Sequence, residues 1–402
     1  MNTMTTSFFR TALILGLLSA IGPFAIDMYL PALPSIGKDL SAENNVVQMS
    51  LLAFFISFAI FQLIYGPLSD MWGRKAPLYM GIGLFAVASV GCALSNDIET
   101  LIAFRFLQGI GGAAGMVIPR AIVRDMHTGV QAARLMSLLM LVFSISPILA
   151  PLTGSAVISF YGWRGVFWAV TIAAFIGLIL LSTQLKETRP KAARVESSLG
   201  SAMAAYRLLL SDRNFLTLTF IGGLGISSFL VYLANSPFVL IDHYGLTPTQ
   251  YSIAFSINAV SFFTVSQLTG WLGDRFGLVR VMRMALTLTM AAMVVVMALG
   301  FNQLPVLATF LFIGYGFLGL VIPTTAVLAL EDHGEIAGTA SALMGTLHFV
   351  TAAVAMVIAG LFFNGTALPM AAGIGLCAVA AFILTQLTIA RRRVVEAEAA
   401  AE

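Results

Sequence analysis

Apolar residues run through this chain in long unbroken stretches rather than in alternation with polar ones. Twelve stretches are long enough to cross a bilayer as helices: about 11–34, 46–68, 76–95, 99–121, 132–158, 163–184, 214–240, 250–272, 279–300, 304–328, 337–362 and 367–389. Crossing the hydrocarbon layer takes roughly 20 apolar residues per helix. A membrane barrel would instead show short segments of alternating character. The pattern therefore predicts an all-α membrane protein. The first stretch follows Arg10, as a secretory signal would follow a basic residue. It is too long for a signal and has no clear small-residue cleavage site before Asp27, so it reads as a retained helix.

The polar interruptions organise these helices. The longest, KETRPKAARVESSLGSAMAAYRLLLSDR at 186–213, separates six spans from six. The expected organisation is a first six-helix bundle over 1–184, a cytoplasmic linker over 185–213, a second bundle over 214–390, and a cytoplasmic tail over 391–402. An internal repeat supports this division. GPLSDMWGRK begins at Gly66 after span two, and GWLGDRFGLVR begins at Gly270 after span eight. Gly66, Asp70 and Gly73 recur as Gly270, Asp274 and Gly277, each offset by 204 residues. Duplicated six-helix halves are a transporter architecture, with the binding site between them near the midplane.

Composition sharpens the class. Of 402 residues, 59% are hydrophobic and 10% charged, against roughly a quarter charged in soluble domains. The net charge of +3 conceals a strong asymmetry: 17 of the 21 lysines and arginines fall on one side of the predicted spans. By the positive-inside rule both termini are expected in the cytoplasm. That basic face is a topology signal, and no nucleic-acid partner is expected. Cys92 and Cys377 both fall within spans, and nothing in their spacing points to a disulfide or a metal site. No Walker A sequence is present, because none of the four lysines is followed by Ser or Thr. QGIGGAAG from Gln108 lies in an apolar span and follows no strand, so it is not a nucleotide loop. Its glycines Gly109, Gly111, Gly112 and Gly115 permit close helix approach. The four histidines are scattered and no nucleophile–base spacing emerges, so an enzyme is not expected.

Ionisable groups at membrane depth are few: Asp27, Arg105 and His348. A charge there is costly, about 2.5–3.5 kcal/mol on the mildest scale, and such residues mark ion and proton pathways. Asp27 is about 16 residues into span one, roughly 24 Å along the helix, and Arg105 about 9 Å into span four from the other side. Both fall in the outer half, and an interaction between them, direct or through water, is expected. The alternatives are packing roles: Asp27 as an interhelical acceptor, Arg105 as a donor to neighbouring carbonyls. His348 sits near mid-membrane, either as a titrating group or as a neutral histidine in the cavity wall.

Several motifs together resemble one family. GPLSDMWGRK, through Asp70, Gly73, Arg74 and Lys75, resembles the signature loop of the major facilitator superfamily. LIAFRFLQGIGGAA, through Arg105, Gln108 and Gly109, is similar to the fourth-helix motif of its proton-coupled members. IDMYLPALP, from Ile26 through Asp27 to Pro34, resembles the first-helix signature of the bicyclomycin-resistance (Bcr/CflA) drug exporters, and Lys186, Glu187, Thr188 and AGTASAL at 337–343 fit that group. Two departures stand out. The fifth helix has APLTGS at 150–155 in place of a glycine-rich element, and Ser19 stands where some relatives carry a second carboxylate.

The resemblance implies twelve transmembrane helices in two pseudo-symmetric six-helix bundles, the major facilitator fold. It implies a multi-pass protein of the bacterial inner membrane, monomeric, with protons, the lipid bilayer and a small amphiphilic substrate as partners. No cofactor is expected, the proton gradient supplying the energy. The expected activity is proton-coupled antiport exporting drug-like molecules of bicyclomycin, phenicol or sulfonamide type, with Asp27 as proton carrier modulated by Arg105. A metabolite exporter or a proton symporter on the same fold, and a membrane ligand sensor, are the alternatives. Asp70, Arg74, Asp125 and Asp274 are candidate gating residues, with Arg74 expected to pair with Asp125 and Asp70 to face the start of span eleven. By position, Met28, Leu30, Phe61, Gln108, Tyr232, Asn235, Asn258, Phe262, Tyr315 and His348 are candidate substrate contacts. Aromatic walls with few polar groups suit drug-sized amphiphiles. The second half has no intramembrane acid, since the positions offset by 204 from Asp27 and Arg105 are Val231 and Thr309.

Overall fold

In a computed structural model, residues 2–127, 129–189, 199–299 and 303–399 are described; Lys191 and Arg194 of the basic set lie outside them. No strand occurs among the described residues. The α-helices are α1 (Asn2–Asp27), α2 (Leu33–Asp39), α3 (Asn44–Trp72), α4 (Lys75–Leu94), α5 (Ile98–Met126), α6 (Gly129–Gln184) and α7 (Leu199–Ser211). They continue as α8 (Arg213–Pro237), α9 (Pro248–Ser266), α10 (Thr269–Phe276), α11 (Leu278–Leu299), α12 (Leu304–Leu330), α13 (Ala337–Leu361) and α14 (Ala367–Ala399).

α6 has 56 residues. Straight, it would be about 84 Å long, well beyond a bilayer. Gly162 interrupts it with φ 66° and ψ −174°, a conformation that glycine alone adopts without strain. The two parts correspond to the predicted spans at 132–158 and 163–184. Among the described residues ten helices are long and apolar enough to cross a membrane, α9 and α10 form an eleventh as a pair bent by 40°, and the division of α6 supplies the twelfth.

The chain forms two compact units, Met1–Leu199 with Gly245–Ser256, and Gly200–Tyr244 with Ile257–Glu402. The unit boundary falls inside the stretch read from sequence as a linker, and that stretch contains a helix, α7. Leu209 of α7 is fully buried against Phe215, Leu218 and Leu343, which anchors α7 to the second unit. The start of α9 belongs to the first unit, where Ser252 and Ser256 donate to the carbonyls of Pro151 and Ile148, each at 2.8 Å.

Small residues set the packing of the first unit. α5 packs against α1, α3 and α4. A methyl group at Gly109 would strike the Phe54 carbonyl of α3. One at Gly111 would lie 2.5 Å from the Gly81 carbonyl of α4, and one at Gly115 2.6 Å from the Leu18 carbonyl of α1. Three glycines thus bring three neighbouring backbones against one helix, where dispersion between close-packed atoms replaces the hydrophobic drive that lipid cannot provide. At one end of this unit Asp39 accepts from Trp163 Nε1 at 3.0 Å and Arg164 Nη1 at 2.6 Å, and Arg164 also donates to the Ser95 carbonyl.

In the second unit α8 packs against α12, α13 and α14, and α11 against α12 and α14. Asp212 caps α8 by accepting from the amides of Asn214 and Phe215, and its other oxygen meets His333 Nε2 at 2.8 Å. The sequence repeat has a structural counterpart. Gly73 ends α3 with φ 87° and Gly277 ends α10 with φ 81°. Each follows the helix that carries its repeat's aspartate, so both copies end that helix on a glycine of positive φ.

Candidate functional site

Asp27 is the last residue of α1. The chain then passes through a turn into a short 3-10 segment, Leu30–Ala32. Proline causes the break: Pro31 has no N–H to return to the carbonyl of Asp27 four residues earlier. The sequence reading carried span one on to residue 34 as one helix. The observed helix stops at the acid and places it beside irregular backbone. Asp27 is 5% exposed, and its carboxylate accepts from Ser146 Oγ of α6 at 3.4 Å.

Arg105 is fully buried. Its Nη1 donates to the Ala25 carbonyl at 3.3 Å and to Gln108 Oε1. Its guanidinium carbon lies 4.5 Å from the ring centres of both Tyr29 and Phe54, a cation–π arrangement worth about 2 kcal/mol when desolvated. Nε and Nη2 have no hydrogen-bond partner among the described residues. Gln108 is held in turn by donating to Ser89 Oγ at 2.7 Å, and Tyr29 by its hydroxyl contact with Ser50 at 2.7 Å.

Arg105 reaches backbone two residues from Asp27. A direct interaction is not present. Arg105 and Asp27 form no ion pair, because the guanidinium is taken by the Ala25 carbonyl, Gln108 and the two rings, while the carboxylate turns to α6.

A charged network lies at the end of the first unit where α3 meets α4. Arg74 has a side chain 4% exposed. It donates to Asp125 through Nε at 2.7 Å and Nη2 at 3.1 Å, and through Nη1 to Ser69 Oγ at 2.7 Å. Nη1 also reaches Asp70 at 2.8 Å, and Asp70 meets Arg189 at 3.1 Å. Glu187 closes the cluster by accepting from the amides of Arg74 and Lys75 at 2.9 and 3.1 Å, so it caps α4. Asp274 is exposed in α10.

The candidate substrate contacts separate by unit. In the first, Met28 is 6% exposed and Leu30 fully buried; Phe61 lies 6.3 Å from the Tyr65 ring, and Gln108 serves Arg105. In the second, Tyr232 and Tyr315 have ring centres 4.9 Å apart, and Asn258 Nδ2 donates to Tyr232 Oη at 2.8 Å. Tyr315 Oη donates to the Ser228 carbonyl at 3.1 Å, and Phe229 links Phe262 to Tyr315 at 6.3 and 6.2 Å. Asn235 is buried and donates to the Val231 carbonyl at 2.7 Å. Tyr232, Asn258, Phe262 and Tyr315 therefore belong to one cluster. Sequence reasoning did not find Phe229, Tyr29, Phe54, Ser89 or Ser146. Among the described residues no group of three or more His, Cys, Asp or Glu is placed to hold a metal ion.

Comparison with known proteins agrees with this architecture. The profile described as Major Facilitator Superfamily matches residues 15–356. The chain is 40% identical over 369 residues to an uncharacterized MFS-type transporter, YdgK, of Bacillus subtilis, covering 90% of each chain. It is 29% identical to a bicyclomycin resistance protein homolog of Haemophilus influenzae, covering 93% of this chain and 94% of that one. It is 32% identical over 244 residues to the multidrug resistance protein MdtL of Escherichia coli K12, covering 61% of each. Among solved structures, a D-xylose-proton symporter superposes with a TM-score of 0.73 at 17% identity, covering 93% of this chain and 97% of that one. At that identity the likeness speaks for the fold alone. Profile and relatives show that this multi-pass membrane protein is a transporter rather than an enzyme and that it belongs to the Major Facilitator Superfamily.

Proposed function

We propose that the protein is a proton-coupled antiporter that exports small, drug-like amphiphiles from the bacterial cytoplasm across the inner membrane. It works as a monomer with both termini in the cytoplasm and takes its energy from the proton gradient, without a cofactor. Relatives named for bicyclomycin and multidrug resistance support the substrate class. Bicyclomycin, phenicols and sulfonamides are the first compounds to try.

The observation that carries the reading is Asp27: a carboxylate buried at 5% exposure, with one weak hydrogen bond and no ion pair among the described residues. A carboxylate locked to a cation would stay ionised through the cycle. Asp27 is free of such a lock, as a group that takes up and releases a proton must be. Arg105 fixes a positive charge at the same level without neutralising the acid. Movement of α1 against α5 and α6 changes the distance between the two, and with it the proton affinity of the carboxylate. Linkage then couples proton and substrate reciprocally. The Tyr232–Tyr315 cluster, with Asn258 and Phe262, supplies an aromatic wall for the substrate. Asp70, Arg74, Asp125 and Asp274 act as gating groups, of which the Arg74 pairs must break if the helices they join separate.

The test is transport in everted vesicles under an imposed pH gradient, with bicyclomycin, chloramphenicol and a sulfonamide as probes. Wild type should move at least one of them against its gradient, and a protonophore should abolish this. Asp27→Asn should retain binding and lose gradient-driven transport. Unchanged driven transport by Asp27→Asn would remove the acid from the mechanism.

A further inference from the structure

α5 carries a second arginine inside its span. Arg120 lies six residues before the end of α5 at Met126, roughly 9 Å along the helix. An arginine that near a helix end ordinarily stretches its head to the adjacent interface. Arg120 does the reverse. Its Nη2 is turned back to Met116 Sδ at 4.0 Å, one turn farther from that end, and its guanidinium carbon lies 5.3 Å from the ring centre of Phe143 in α6. Phe143 is at the middle of the span read from sequence at 132–158. The charge is thus drawn toward the midplane, the level at which transporters of this architecture hold their substrates.

This cation is underpaired and within reach. A guanidinium presents a fork of N–H donors. Among the described residues Nε of Arg120 has no partner, Nη2 meets only the thioether, a weak acceptor, and no carboxylate forms an ion pair with it. Asp70 and Asp125, toward the same end of the unit, are taken by Arg74. Other unpartnered polar atoms are sealed. Arg105 is fully buried. His348 is 4% exposed, and a methyl group at Gly222 would lie 2.9 Å from its Nε2, so the space beside it is filled. Arg120 and Phe143 are both half-buried, so cation and ring each keep a surface that a ligand can touch. Phe143 precedes Ser146 by three residues, and side chains at that spacing are neighbours on a helix. The free cation therefore stands about one turn of α6 from the hydroxyl that holds Asp27.

We propose that Arg120 and Phe143 form a subsite for the acidic end of exported molecules, an ionised sulfonamide or carboxylate carried on a flat ring, and that it selects these anions over their neutral isosteres. The inference rests on the export reading and narrows its substrate class. The preference has a physical cause. A guanidinium meets such an anion through charge-assisted hydrogen bonds, often two in parallel, while the ligand's ring packs against Phe143. A neutral isostere covers the same cation, takes it out of water and returns no charge for it, and sites that leave buried polar groups unpaired reject such analogues more strongly than apolar pockets reject a missing methylene.

The test is calorimetric binding to the full-length protein in detergent, at a mildly alkaline pH where the acids are ionised. Two pairs of probes serve: sulfathiazole and its N1-methyl derivative, and nalidixic acid and its methyl ester. The acid of each pair should bind about tenfold more tightly than its neutral partner. Arg120→Gln should bring that ratio close to one, and Arg120→Lys, which keeps the charge without the fork, should leave part of it. Should the glutamine variant fail to fold, the lysine variant decides: its ratio should fall severalfold, and an unchanged ratio overturns the subsite. Equal binding within the wild-type pairs, or a preference for the acids that survives Arg120→Gln, overturns it too. So does binding of none of the four probes while bicyclomycin or chloramphenicol is exported, which leaves the export reading standing. Binding of none of the four, with no driven export of any compound, overturns both.

Discussion

Asp27 and Arg105 occupy one level of the first unit without touching: Arg105 Nη1 bonds the Ala25 carbonyl at 3.3 Å, while the Asp27 carboxylate meets Ser146 at 3.4 Å. The cation is held by planar contacts, two rings at 4.5 Å and two oxygen acceptors. Charge alone is therefore not what the site requires of Arg105. Lysine would keep the charge and lose the flat face and the forked donors. Arg105→Lys should insert and fold yet lose driven transport by about tenfold or more, the equivalent of one good cation–π contact. Transport at the wild-type rate in reconstituted vesicles would show that the ring contacts are incidental.

Arg74 bridges Asp70, Ser69 and Asp125 with its side chain almost fully enclosed. Removing one member of a buried ion pair leaves the other uncompensated, a loss of about 3–5 kcal/mol. Arg74→Ala should lower the melting midpoint by several degrees, read by fluorescence-detected size exclusion. Arg74→Ala with Asp125→Asn should be less unstable than the sum of the single variants. Strict additivity would argue against the pairing.

Glu187 caps α4 through two backbone amides 112 and 113 residues away in sequence. Glu187→Ala should destabilise by about 1 kcal/mol, the usual worth of a cap, and Glu187→Gln by less because one acceptor oxygen survives. Both effects should appear in the same thermal assay. Indistinguishable midpoints for wild type and alanine would place the cap elsewhere.

The helix count and the two-part organisation were readable because hydrophobic runs and basic loops follow directly from the bilayer. The glycines of α5 were readable as packing residues for a similar reason, since an apolar helix rich in glycine has little other use for them. The break after Asp27 was not, although Pro31 was in plain view: a proline inside an apolar run is compatible with a kinked continuous helix as well as with a stop. Ser89 and Ser146 were invisible. Hydroxyls within apolar helices usually satisfy themselves on their own backbone, as Ser89 does in part through Phe85, so sequence does not separate them from those that hold a charge. For Arg105 the sequence left open both a link to Asp27 and donation to neighbouring carbonyls, of which the Ala25 contact is the second, because depth fixes which groups are level with one another, not which way each side chain turns.

Glycine at 111 is required by contact, whereas glycine at 66 is not. A methyl at Gly111 would press on the Gly81 carbonyl and the Phe85 amide, and nothing lies within 4 Å of one at Gly66. Gly111→Ala should cost about 1–3 kcal/mol through overpacking and reduce folded yield. Gly66→Ala, inside α3, should be neutral or stabilising by about 0.5–1 kcal/mol. Equal yields of the two variants in membranes would contradict the packing described for α4 and α5.

The central claim concerns one proton on Asp27. Its most direct test is proton release on mixing purified protein with a transported compound in weakly buffered solution, followed by a pH-sensitive dye. Wild type should release protons in step with saturation of binding, and Asp27→Asn should bind the same compound and release none. Proton release of equal size from both proteins would show that the exchanged proton resides on another group.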